Sequence, residues 1–147
     1  MKYLTFSLLS VFLLSCNNSK NVTITNTSNA LIGTWKMVYA ETKEQDSIKI
    51  KDLTSARFIK IINDSHFAFF NQPKDGSKNF YGGGGTYTLN GKRYIETLSY
   101  TSVEAIKNHK FPFIVQIKGD TLIQSGLEEV KAAGIKREII EKYIRLK

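Results

Sequence analysis

The sequence predicts an all-β protein with one or two short helices, built as an eight-stranded antiparallel up-and-down β-barrel. Two observations carry its all-β part. From residue 31 onward the chain is a succession of short runs with period-two alternation, separated by turn-forming residues. Aromatic residues make up 12% of the chain, including nine Phe and seven Tyr, enough to fill a small barrel.

The elements follow in order. Met1-Lys2 gives a positive start, and residues 3–14 form an uncharged, mostly apolar run. As a helix this run would be about 18 Å long, short of the roughly 30 Å hydrocarbon core of a bilayer. It suits the apolar region of a secretory signal and not a spanning helix. The run ends at Leu13-Leu14-Ser15-Cys16, which resembles a bacterial lipobox. That resemblance implies cleavage before Cys16, lipid on its thiol and an acylated new amine. Cys16 is the only cysteine in the chain, so an internal disulfide is impossible, and a lipid thioether would remove an otherwise exposed thiol. Two or three acyl chains hold a protein durably at a membrane where one does not. The expected organisation is a signal peptide over 1–15, a lipidated cysteine with a polar Asn/Ser/Thr tether over 16–30, and a barrel domain over 31–147. Asn17 stands where an aspartate would resemble an inner-membrane retention signal, which favours the outer membrane of a Gram-negative envelope.

The first strand, Leu31–Ala40, places Trp35, Met37 and Tyr39 on one face. Ala56–Ile62 and His66–Asn71 flank the turn Asn63-Asp64-Ser65. Gly84–Leu89 and Lys92–Tyr100 flank Asn90-Gly91, a strong hairpin signal. Phe111–Lys118 and Thr121–Ser125 flank Gly119-Asp120. Thr101–Glu104 and Ser125–Glu128 both match a capping box, and the second would open a helix through Ala133, stopped by Gly134. The last run, Glu138–Leu146, reads equally as strand or helix, and one continuous helix from Leu127 to Arg145 is the rival arrangement.

Gly33-Thr34-Trp35 resembles the G-x-W signature of lipocalins and related calycin barrels, and Glu141-x-Tyr143-x-Arg145 resembles their last strand. Gly83–Leu89, Glu96–Tyr100 and Lys118–Leu122 are similar to a group of lipocalin-like bacterial lipoproteins. The resemblance spans roughly 31–147 and implies that Arg145 packs across Trp35, with Gly33 beside them, to close the barrel. It departs from true lipocalins in having no disulfide. It implies little about function, since one fold serves many roles.

With Trp35 inward, alternation and turns assign Met37, Tyr39, Phe58, Phe67, Phe69, Tyr87, Tyr94, Phe113 and Val115 to the interior, with Glu96 as an inward polar group. These are the candidate ligand-binding residues, and a small, mostly apolar molecule is the expected ligand. The alternative is an interaction or inhibitor module acting through its outer surface and loops.

Other chemistry finds little support. The formal charge of +8 falls to +7 if Lys2 leaves with the signal, but the basic residues are scattered, so no nucleic-acid partner is expected. His66 and His109 lack neighbours at metal-ligand spacing, so no metal or cofactor is expected. Gly82–Gly85 lacks the Gly-Lys-Ser/Thr of a phosphate loop and suits a bulge or bend instead. Glu128-Glu129 suits a helix start. No nucleophile elbow is present, and a non-catalytic monomer is the expectation.

Overall fold

A computed structural model describes residues 30–76 and 79–147. The expected signal segment, the lipidation site Cys16 and most of the tether lie outside the described residues. Among the described residues, nine strands form a single antiparallel sheet: β1 (Gly33–Glu44), β2 (Ser47–Ile50), β3 (Ala56–Ile62), β4 (His66–Pro73), β5 (Tyr81–Asn90), β6 (Arg93–Tyr100), β7 (His109–Lys118), β8 (Thr121–Val130) and β9 (Ile135–Leu146). From β3 to β9 each strand pairs with the next, β1 pairs with β3, and β1 also pairs with β9. Eight strands therefore close into an up-and-down barrel, which removes its sheet edges. The short β2 is an appendage on the far end of β1, with all four residues exposed.

Alternation builds the interior. Phe58, Lys60 and Ile62 of β3 are buried, as are Tyr94, Glu96 and Leu98 of β6 and Phe111, Phe113 and Val115 of β7. The two barrel ends differ. Tight connections at 63–65, 91–92 and 119–120 gather at one end, where the chain enters through the fully buried Leu31. Longer connections at 101–108 and 131–134 border the other. The half next to the tight turns is packed solid, with Trp35, Ile62, Tyr94, Val115, Leu122 and Tyr143 almost wholly out of solvent.

Several local expectations are corrected. Ser125–Val130 is not helical: it continues β8 and pairs with β9 from Ser125↔Ile140 to Val130↔Ile135. A local capping signature loses here to long-range pairing, and only Lys131–Ala133 forms a 3-10 turn, ended by Gly134 at φ +65°. Glu138–Leu146 lies within strand β9, which excludes the continuous C-terminal helix. The other capping box is also unrealised: the 3-10 turn is Glu104–Ile106, with Val103 as its uncapped start. The β5–β6 turn is Gly91-Lys92, one residue later than expected, because Gly91 has positive φ while Asn90 stays in the strand opposite Arg93. A register shift between Gly84 and Gly85 makes the glycine run a bulge site. A Cβ on Gly85 would lie 1.9 Å from the Thr97 carbonyl, so that approach of β5 to β6 requires glycine.

Candidate functional site

Between the packed half and the long connections lies a cavity of about 310 Å³, open at the barrel end formed by Thr101–Ile106. Much of its wall is apolar and aromatic. Phe58 and Phe69 stack at 5.6 Å, Phe111 and Phe113 stack at 6.3 Å, and Leu98 and Ile135 complete this wall. Tyr81, at the start of β5, reaches the mouth, sets its ring edge-on to Phe58 and accepts a hydrogen bond from Lys51 Nζ at 3.0 Å.

The cavity floor is charged. Lys60, only 3% exposed, donates to Glu96 Oε1 at 2.6 Å and to Gln124 Oε1 at 2.9 Å. Its ammonium also lies between 5.6 and 5.9 Å from the ring centroids of Phe67, Tyr94 and Tyr143. Three π-faces and two acceptors thus replace the water that a buried ammonium would otherwise require. Nearer the mouth, Arg137 Nε donates to Glu128 Oε2 at 2.6 Å. Glu128 is therefore an inward partner of Arg137 and not a helix-start acid, while Glu129 pairs with Lys136 at 3.8 Å. Glu141 also lines the cavity and accepts a 2.6 Å hydrogen bond from the Tyr143 hydroxyl. Burial raises the Glu141 carboxyl above its ordinary range, with nearby Lys60 and the Tyr143 hydroxyl opposing and Glu96 and Glu128 adding to the rise. Burial likewise raises the hydroxyls of Tyr94 and Tyr143.

The residues assigned inward from sequence divide into four groups. Phe58, Phe69, Glu96 and Phe113 line the cavity. Met37, Phe67, Tyr94 and Val115 are buried in the core without lining it. Tyr87 packs its ring on Tyr94 at the tight-turn end and donates to the Asn63 carbonyl at 2.7 Å. Tyr39 is on the outer face, hydrogen-bonded to Glu41, with Lys142 over its ring. A register shift between Met37 and Tyr39 inserts Val38 as an extra residue and reverses the strand's facing beyond it. Lys60, Gln124, Glu128, Arg137 and Glu141 were missed. Their strand parity was the available signal, since Lys60 shares a face with Phe58 and Ile62, and Glu141 with Tyr143.

The barrel closure brings together Gly33, Trp35 and Arg145. Trp35 and Arg145 are direct partners between β1 and β9, and the guanidinium carbon sits 4.1 Å from the indole centroid. Arg145 donates to the carbonyls of Ala30 and Ile32, while Trp35 Nε1 donates to Leu31 at 2.9 Å. Gly33 adopts φ +148°, and a Cβ there would fall 2.3 Å from Arg145 Nη1. The glycine makes room for the arginine.

His66 Nδ1 lies 2.8 Å from Ser65 Oγ, and the His109 ring packs edge-on against Phe111. On the outer face, Gly82–Gly85 floor a trough of about 710 Å³ bordered by Phe70, Phe80 and Tyr100.

Fold and site together define an eight-stranded antiparallel barrel with a mixed aromatic and charged interior cavity. The chain belongs to the family described as Domain of unknown function (DUF4488), which matches residues 30–147. Comparison with curated proteins finds no match.

Proposed function

We propose that this chain is a non-catalytic envelope lipoprotein, anchored through lipid on Cys16 in the outer membrane, whose lipocalin-like barrel binds one small molecule. The cavity carries this reading. Its volume of about 310 Å³ falls at the lower end of the roughly 300–1,000 Å³ typical of small-molecule sites. Ionised side chains are costly in a sealed core, and an interior serving packing alone would do better with apolar residues. The ligand that suits this lining is amphipathic: an apolar body against the phenylalanine wall and a polar group toward the floor. That revises the mostly apolar ligand expected from the alternation. Action through the outer trough is the weaker reading, because the trough holds no comparable set of fixed polar groups.

The test is titration of the purified chain with N-phenyl-1-naphthylamine, a neutral apolar probe whose fluorescence rises on leaving water. Enhancement should be saturable in the wild type and lost in Leu98→Trp, which fills the cavity from its buried wall. An unenhanced probe, or equal enhancement in a folded Leu98→Trp protein, refutes interior binding.

A further inference from the structure

Each cation lining the cavity already has a carboxylate. Lys60 is paired with Glu96, and Arg137 with Glu128. The lining carries three carboxylates and two cations, so Glu141 is left without a cation of its own. Among the described residues, the hydroxyl of Tyr143 is its hydrogen-bond donor, and that bond engages Oε2. The same chamber holds the stacked pairs Phe58–Phe69 and Phe111–Phe113, whose π-faces attract cations and repel anions. We infer that the ligand is a compact organic cation, a protonated amine with an apolar body, whose charged group pairs with Glu141. This rests on the interior-binding reading and names the ligand class for that site.

The chemistry discriminates among charges. An anionic ligand would meet an unmatched carboxylate and would have to break an existing ion pair to reach Lys60. A neutral ligand would leave Glu141 uncompensated. A cation supplies the missing counter-charge and favours ionised Glu141, so binding releases a proton wherever the free carboxyl is protonated. The charged and titratable groups around Glu141 are Lys60 from β3, Glu96 from β6, Glu128 from β8, and Arg137 and Tyr143 from β9, with Tyr94 of β6 acting on Tyr143 behind them. Burial raises the Glu141 carboxyl, so affinity for a cation should fall on acidification.

A matched set decides it: 2-phenylethylamine, 2-phenylethanol and 3-phenylpropionate, titrated calorimetrically into the full chain at about pH 7. The amine should bind about tenfold or more tightly than the other two, as a charge-assisted hydrogen bond in a partly dry site implies. Glu141→Gln keeps an acceptor for Tyr143 and should remove this preference, so that the variant binds the amine and the alcohol about equally. If that variant does not fold, the wild-type pH series still decides, because amine affinity must drop toward acid and alcohol affinity must not. Equal or tighter binding of the alcohol or the carboxylate overturns the cation inference and leaves interior binding standing. Failure of all three while the naphthylamine probe binds also overturns the inference alone, and failure of all four overturns both readings.

Discussion

Gly33→Ala should be among the most damaging single-methyl additions in this protein. Two separate costs arise. An L-residue at φ +148° occupies a sparsely populated region, at about 1–3 kcal/mol. The new Cβ would also lie 2.3 Å from Arg145 Nη1, so the guanidinium must leave. It would give up its place over Trp35, worth about 0.5–2 kcal/mol, and its charge-assisted bonds to Ala30 and Ile32, worth about 1.5–3 kcal/mol each before water replaces them. Allowing for recovered hydration, Gly33→Ala should cost about 3–5 kcal/mol. In an Arg145→Ala background only the backbone part should remain, about 1–3 kcal/mol. Urea unfolding followed through Trp35, the only tryptophan in the chain, measures all four corners of the cycle. A Gly33→Ala cost below about 1 kcal/mol, or one unchanged by removing Arg145, would refute this account of the closure.

Other outcomes follow from the interior and the N-terminal segment. Lys60→Met strands Glu96 in the barrel and should cost about 3–5 kcal/mol, with Lys60→Met/Glu96→Leu recovering much of it; a double variant no better than the single would count against a paired interior. Because burial raises Glu141 above its ordinary 4.5, the folded state holds that proton more tightly than the unfolded chain. The resulting stability is fully present below about pH 4.5 and is lost as the pH rises through the raised value. Glu141→Gln should therefore melt above wild type at about pH 8, with the gap closing at about pH 4; a gap independent of pH would contradict it. Cys16→Ala should move the protein from the membrane fraction to the soluble one, and retention through an alkaline carbonate wash would exclude the lipid anchor.

Much of the barrel was legible because its determinants are local and periodic. Alternation in Ala56–Ile62 and Phe111–Lys118 and the glycine of Gly119-Asp120 mark strands and a turn without knowledge of the rest. Tyr39 was misplaced because the bulge at Val38 has no Gly or Pro to announce it; it arises in the pairing of β1 with β9. Ser125–Val130 satisfied a helix-start pattern within four residues, yet Glu128 and Val130 keep the facing set by Gln124 and have a barrel interior to face. The charged floor was hidden by the rule that lysine and glutamate face water. Lys60 breaks it only because Glu96 and Gln124, 36 and 64 residues away in sequence, converge on its ammonium.

The two ends of the barrel divide its work. Arg145 binds the carbonyls of Ala30 and Ile32, so the entering chain is fastened at the tight-turn end, under a fully buried Trp35. No solute can enter through that packed half without displacing Leu31, Trp35 or Leu122, each at 0% exposure. Access therefore runs through the opposite end, among Thr101–Ile106 and Tyr81. Residue 30 therefore enters at the sealed end, opposite the mouth. The same geometry explains why the closure residues and the cavity residues form separate sets. Arg145 and Glu141 sit four residues apart on β9 with the same facing, one locking the sealed end and the other presenting a carboxylate to the chamber.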